Sequence, residues 1–522
     1  MWSWNFAFDA QWLPDWVFND DVEWIDGMLL HGLLYPDAPA RSLKVVGPAI
    51  TGVPYLKTLA DGLEGDDLDD YLRLDLYQTG KCIHKFLDEI VGTPMEKLYP
   101  WVMRLAKVCA KAQKYGIKIN RETARCMALD LRERQSKLVE RMDHIGKLCE
   151  VNLKWKSRGF TYSRSTKAVE ELIFNRLGLP MSRTKKGNPC LDKKARLRMQ
   201  TRDHSGFLEA YGEFLNLQKT VQSYVKPFVD NSENWMDPDD VAHPSALLFP
   251  VESSEESGQG SIEGGAVTGR IVWKDPPLQV FPEEVHHIFI ARPGNRICVV
   301  DLSQIEPRVM AWLAQEHDLL EGFREGRDFY LMVMSKALGV PEGEVTKELR
   351  AVGKTVVLSI LYGVSLWTVV ETFEVAGGMT ITQDEANDFI DQFTAELPGL
   401  VRWKNDIVER IEQGLPIVTP AGRSRTFLGS DPEQVRMAIN FEPQSFASDI
   451  NHAMMMELAE LPGIYPQFTR HDDILFEAEP FVNVESEVAK IYSCAQEIVA
   501  NHFGVTGFDV PINYTLKVGS TW

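Results

Sequence analysis

The strongest constraint on the fold is a short apolar run, Ile297-Cys-Val-Val300, that ends in Asp301. A second apolar region flanks His471-Asp472-Asp473, 171 residues beyond Asp301. Four apolar residues in a row, mostly β-branched, suit a buried strand, and paired acids between two such runs suit the turn of a hairpin. The residues between them recur at three- and four-residue steps over 306–338 and 346–373, which predicts helices. Strands separated in sequence by a helical insertion give an α+β fold. At 522 residues the chain is long enough for about three or four domains, and no internal repeat organises it.

Upstream, Leu98, Val102, Leu105, Val108, Cys109 and Ala112 mark a helix. Gly116 interrupts it before a short extended piece, Ile117–Asn120, and a helix from about Arg121 to Leu148. Residues 180–190 read as a basic loop and 204–230 as a further helix. The polar stretch Asn231–Gly265 reads as a long loop at a domain boundary. Seven cysteines occur without a CxxC pair, which suits a reducing cytoplasm and argues against a zinc-cysteine site. No apolar run nears the roughly 20 residues of a bilayer span. Met1–Asp9 lacks the pattern of a secretory leader. The expectation is a cytoplasmic protein with no membrane partner.

The net charge of −20 conceals a strong asymmetry. Between Trp101 and Arg202 there are 26 Lys and Arg against 9 Asp and Glu, so the rest of the chain carries −37. A basic block within an acidic protein is a local electrostatic footprint for nucleic acid.

Three constellations carry chemistry. Asp301 ends a buried strand, where a carboxylate is held rigidly and can bind a cation; such an Asp also commonly caps a following helix. Arg350, Lys354, Leu358 and Tyr362 recur every four residues on one helical face, cationic at one end and apolar-aromatic at the other. That stripe suits a ligand with an anionic tail and a flat head, such as a nucleoside triphosphate, although an ordinary amphipathic helix reads similarly. In His471-Asp472-Asp473 the acids are either solvated turn residues or a second cation-binding element.

In order and spacing these elements resemble the motifs of the family A DNA polymerases. Asp301-Leu-Ser-Gln-Ile-Glu306-Pro-Arg308 resembles motif A, D-Y-S-Q-I-E-L-R. Arg350 to Gly363 resembles motif B, R-x3-K-x7-Y-G, and His471-Asp472-Asp473 resembles motif C, H-D-E. Thr268-Gly-Arg270 with Asp275 to Gln279, Thr419 to Arg423, Arg436 to Gln444 and the end of the chain, Lys517 to Trp522, match further family segments. The resemblance covers residues 97–522. It implies a right-hand polymerase with a thumb over 97–240, palm over 241–320 and 416–522, and fingers over 321–415. The implied activity is template-directed addition of dNTPs to a primer 3′-hydroxyl.

The resemblance also implies roles. Asp301, Asp472 and the Leu302 carbonyl would hold two Mg²⁺ ions. Arg350 and Lys354 would bind the triphosphate, with Lys354 donating a proton to pyrophosphate. Gln304, Leu358, Tyr362 and Tyr330 would line the nucleotide site, and Glu306 would exclude a 2′-hydroxyl. Arg270, Gln279, Arg308, Arg436, Asn440, Gln444 and His471 would contact primer-template DNA, mainly at its backbone and minor-groove acceptors. The basic block falls in the thumb and would make binding salt-dependent. Leu302, Pro307, Tyr330, Leu358 and Asp473 depart from the usual family residues, which predicts an active enzyme with altered nucleotide selectivity.

At the other end, Asn5-Phe-Ala-Phe-Asp9 and Tyr71-Leu-Arg-Leu-Asp75 resemble the second and third motifs of the family's 3′→5′ exonuclease, an RNase H-like domain. The first motif, D-x-E, has no counterpart upstream of Asn5, and Asp21-Val-Glu23 reads as an acidic turn. Residues 1–96 are therefore expected to be a partial exonuclease domain without proofreading by this chain alone. A separate polypeptide could complete it; a split gene or an artificial boundary would each account for it. Compactness and acidity point to a bacteriophage or bacterial replication enzyme. Competing readings are a single-subunit RNA polymerase, against which Glu306 argues, and a non-catalytic DNA-binding factor on a polymerase scaffold.

Overall fold

The computed structural model describes residues 1–522 except 19–21, 39, 56–63, 185–186, 253–261, 264–265, 362–365 and 378–380. The chain divides into two compact units. The first contains Met1–Tyr115, Ser245–Lys274 and Gly294–Gly519; the second contains Gly116–Pro244, Asp275–Pro293 and Ser520–Trp522.

The first unit is built on a four-stranded antiparallel sheet in the order Ile464–Arg470, Asp473–Ala478, Arg296–Leu302, Tyr514–Gly519. The predicted strand at 297–301 is thus central, and every residue of Asp473–Ala478 is buried. The helix Pro432–Ala459 packs against the hairpin strands. It is buried almost all round from Ala438 to Leu458, as a core helix must be.

Between the central strand and this helix lie the inserted helices, and here the sequence expectation needs correction. The stretch 306–338 is three helices, Ile305–Leu313, His317–Arg324 and Phe329–Leu338. The breaks fall where the backbone turns left-handed, at Gln315 (φ +53°) and Gly326 (φ +75°). The third helix restarts because the Asp328 side chain caps it, accepting from Leu331 N–H at 3.1 Å. The stretch 346–373 divides into Lys347–Leu361 and Leu366–Gly377.

Residues 1–96 begin with a parallel pair, Trp2–Ser3 beside Ile25–Asp26, followed by helices Gly27–Leu34, Leu43–Thr51 and Asp66–Ile90. Asp26 is fully buried. It accepts from Phe6, Met28 and Leu29 N–H, and burial raises its carboxyl to about 6.

The second unit holds the long helices Arg121–Leu148 and Phe207–Lys219. A small sheet joins Phe289–Ile290, Ile117–Ile119 and Val241–Ala242. Asn120 caps the first helix, accepting from Thr123 N–H at 3.0 Å. Phe228, Phe281, Phe289 and Trp522 form an aromatic cluster, with His286 stacked on Trp522 at 3.5 Å between centroids.

The expected loop Asn231–Gly265 is another correction. Val241–Ala242 belongs to the small sheet, and Ser245–Leu247 pairs with Val272–Lys274. Short buried segments such as Val241-Ala242 are too brief to show a period within a polar stretch. Ser253–Gly260 lies outside the described residues.

Candidate active site

The two carboxylates singled out in the sequence meet at one end of the sheet. Asp301 is the penultimate residue of its strand and stands in register opposite Asp473. The hairpin that starts at Asp473 is closed by two residues, His471 (φ +52°) and Asp472. Leu302 N–H donates to the Asp472 carbonyl at 3.1 Å, which fixes the turn against the central strand.

The electrostatics separate the three acids. Asp473 is buried and is neutralised by Arg470, which donates from Nε at 3.1 Å and Nη2 at 2.6 Å. Asp301 is pushed up to about 6, first by desolvation and then by the hydrogen bond and negative charge of Asp473. Asp472 is likewise raised to about 6 by desolvation, with repulsion from Asp301 and Asp473 partly offset by Arg270. Asp301 and Asp472 are therefore oxygen donors whose negative charge is incompletely compensated, the condition a hard divalent cation relieves. Among the described residues no group of three or more His, Cys, Asp or Glu forms a metal cage. The donor set here is two carboxylates and whatever backbone carbonyl, such as that of Leu302, joins them.

A second cluster forms around Asp328. Arg350, on the helix Lys347–Leu361, donates to Asp328 from Nε at 3.2 Å and Nη2 at 2.6 Å. Its guanidinium lies 5.7 Å from the Tyr330 ring centroid. Gln304, held at φ +58°, donates to Asp328 at 2.7 Å and accepts from Phe329 N–H at 3.2 Å. Tyr330 is buried, and desolvation with the nearby Asp328 raises its hydroxyl to about 12, with the charge of Asp472 adding to the rise. Lys354 is exposed and has no ion-pair partner among the described residues. Leu358 belongs to the same helix. Tyr362 lies outside the described residues.

Glu306 is ion-paired with Arg270, itself close enough to lower Asp472 and His471. Gly269 has φ +79°, and a Cβ there would sit 2.4 Å from the Arg423 guanidinium, so this position accepts only glycine. Arg423 in turn forms a fully buried pair with Asp449, at 2.7 Å and 2.9 Å. Arg436, Asn440 and Gln444 follow one face of the helix Pro432–Ala459 at four-residue steps; Arg436 is exposed, and Asn440 Oδ1 has no partner. Asn451 continues that helix and donates to the His471 carbonyl at 3.3 Å. Gln279 sits half-exposed in the second unit, on the turn Leu278–Val280.

Arg308 requires a correction. The sequence reading places it on DNA, but it is only 3% exposed. It donates to the carbonyls of Ser303 and Pro511, both at 2.9 Å, and lies over Phe323 at 4.4 Å. Burial lowers its guanidinium to about 10. It supports the turn after the central strand from inside.

At the N-terminal end the structure brings Asp9 and Asp75 together. Asp9 accepts from Ser3 Oγ at 2.6 Å and is raised by burial, with Asp75 adding repulsion. Tyr71 lies one helical turn before Asp75, and Tyr55 donates to both. Sequence reasoning missed Tyr55, Asp328, Asp449 and Arg470. The signals available were thin: a polar Asp449 in the apolar run Phe446–Ile450, and Asp328 directly before an apolar helix.

The sheet thus ends in acidic residues, and the helix Lys347–Leu361 carries Arg350 beside Asp328 and Tyr330. Residues 130–522 match the family model described as DNA polymerase family A. The DNA polymerase I of Chloroflexus aurantiacus is 30% identical over 275 residues, covering 49% of this chain and 28% of that protein. The thermostable DNA polymerase I of Thermus aquaticus is 25% identical over 444 residues, 81% of this chain and 48% of that protein. This chain thus spans about half or less of the length of these curated relatives. Among solved structures, the POL domain of Pol1 from M. smegmatis, in complex with DNA primer-template and dNTP, superposes with a TM-score of 0.76 at 20% identity, over 96% of this chain and 82% of that one. The chain belongs to DNA polymerase family A, and its fold is the α+β polymerase fold.

Proposed function

We propose that this chain extends a primer 3′-hydroxyl with dNTPs under the direction of a template. The observation that carries this reading is that Asp301 and Asp472 lie together at the sheet end, and that Gln304, three residues after Asp301, shares Asp328 with Arg350. Family membership supports it, as does the fold shared with a mycobacterial domain seen with primer-template and dNTP.

Two divalent ions of the Mg²⁺ type, held by Asp301, Asp472 and the Leu302 carbonyl, would lower the pKa of the primer hydroxyl and neutralise the triphosphate. The chain's own residues do the rest. Arg350 presents its unpaired Nη1 to phosphate. Lys354, free of ion pairs among the described residues, can bind a phosphate and protonate the leaving pyrophosphate. Tyr330 is neutral and supplies a ring face instead of a second cation. On their sequence spacing alone, Leu358 and Tyr362 would line the nucleotide. Glu306, held by Arg270, would crowd a 2′-hydroxyl. Arg436, Asn440 and Gln444 offer a polar row to primer-template DNA, with His471 and Gln279 as further contacts. In domain terms, we read 97–240 as thumb, 241–320 and 416–522 as palm, and 321–415 as fingers.

For residues 1–96 we infer an exonuclease-like domain. The adjacency of Asp9 and Asp75 supports it, and a separate polypeptide bearing D-x-E carboxylates would complete a two-metal site there. The acidic composition fits a bacterial or phage replication enzyme. Primer extension with Mg²⁺, comparing dNTPs, rNTPs and dideoxynucleotides, tests the polymerase reading: template-dependent dNTP addition supports it, and no extension overturns it.

A further inference from the structure

We propose that Asp328 is the positioning residue of the nucleotide site, orienting Arg350 for the triphosphate and tying it to the strand that carries Asp301. The inference rests on the polymerase reading above.

Asp328 uses both carboxylate oxygens fully. Oδ1 accepts from Leu331 N–H at 3.1 Å and Arg350 Nε at 3.2 Å; Oδ2 accepts from Arg350 Nη2 at 2.6 Å and Gln304 Nε2 at 2.7 Å. The arginine is thus gripped along its Nε–Nη2 edge, and the Tyr330 ring bounds it at 5.7 Å. Among the described residues Nη1 takes no part, so one edge of the fork is anchored while the other is left to a ligand. The paired carboxylate also holds the arginine charge firmly on. Because Tyr330 stays neutral, Arg350 is the oriented charge of this cluster.

The connection runs further. Gln304 lies three residues beyond Asp301, in a left-handed conformation, and is held at both ends of its amide by Asp328 and Phe329 N–H. A continuous hydrogen-bonded path therefore joins the turn after the strand that carries Asp301 to Arg350.

The ordinary alternative is that Asp328 merely caps the helix Phe329–Leu338. Asp328→Asn separates the two roles. Asparagine is as good a cap, through Oδ1, but its amide would face two donors, Arg350 Nη2 and Gln304 Nε2. Asp328→Ser is a second variant that caps the helix and cannot clamp the arginine.

The test measures KM and kcat for dNTP in primer extension, alone and combined with Arg350→Lys, alongside thermal unfolding. We expect D328N and D328S each to raise KM about tenfold, with kcat changed less than about threefold, as suits the loss of a charge-assisted bidentate contact. Neither variant should change the unfolding midpoint. In the R350K background, where no fork remains to be aimed, D328N should add almost nothing. An unchanged KM, or an equal KM rise in both backgrounds, overturns the proposal, and a fall in unfolding midpoint with KM unchanged assigns Asp328 to capping alone. Failure of the wild-type chain to extend a primer overturns the polymerase reading itself, a result distinct from an active wild type with an indifferent D328N.

Discussion

Asp301 and Asp473 stand directly opposite each other across two antiparallel strands, yet only Asp473 is paired, to Arg470 at 2.6 Å. Arg470 thus compensates Asp473 directly, whereas Asp301 meets Asp473 through a hydrogen bond and keeps an incompletely compensated charge. Asp472, at the hairpin turn, is the second acid raised by burial and like charge. Asp301→Asn should lower the extension rate by on the order of a thousandfold or more if, as proposed, Asp301 is a ligand for divalent ions that activate the primer hydroxyl. DNA binding, measured by fluorescence anisotropy, should persist. Asp473→Asn should cost far less, roughly tenfold, and mainly by releasing Arg470. Equal losses for D301N and D473N would show that the acids share one role.

Glu306 and Arg270 hold each other beside Asp472. Glu306→Ala removes the carboxylate proposed to crowd a 2′-hydroxyl and frees Arg270. Ribonucleotide incorporation relative to dNTP should rise by about tenfold or more, the discrimination expected when one unfavourable contact of about 1.4 kcal/mol is relieved. Competition assays with matched rNTP and dNTP measure the ratio, and an unchanged ratio would move sugar selection elsewhere.

Arg423 and Asp449 form a buried pair against Gly269. Asp449 lies in an apolar environment that disfavours its charge, and Arg423 offsets that burden. Replacing one partner leaves the other unpaired in the core. Asp449→Ala should therefore destabilise the first unit by about 3–5 kcal/mol in denaturant titration. The second unit supplies an internal reference if the two unfold separately.

The chemistry of this site was more legible than its support. Asp301 and Asp472 stand out as acids at the ends of apolar runs, and Arg350 as the cationic end of a four-residue repeat on one helical face. Arg308 misleads because sequence cannot distinguish an arginine facing solvent from one that buries its guanidinium on carbonyl oxygens and an aromatic ring. Asp328 reads as a simple cap, since its partners Gln304 and Arg350 lie 24 and 22 residues away and meet it only in the folded chain. The helix breaks near Gln315 and Gly326 depend on left-handed backbone turns; glycine advertises one, glutamine does not. The strands at 241–247 escape notice because two- and three-residue segments carry no measurable period.

Glu442 supplies a pH test remote from the carboxylates of the sheet end. It projects from the helix Pro432–Ala459, accepts from Trp403 Nε1 at 3.1 Å, and is raised from 4.5 to about 6 because burial outweighs that hydrogen bond. The folded state therefore favours the protonated acid. Its contribution to stability is fully present below pH 4.5 and is lost as pH rises through about 6. Glu442→Gln keeps an acceptor without the charge, so its stability relative to wild type should increase between about pH 4.5 and 6 and then level off. The shift sets the plateau at about 2 kcal/mol, reduced to the extent that water reaches the carboxyl. Urea titrations of both proteins from pH 4 to 8 measure the difference; a difference that stays flat, or that grows as pH falls, would mean the carboxylate is well solvated or paired in the folded chain.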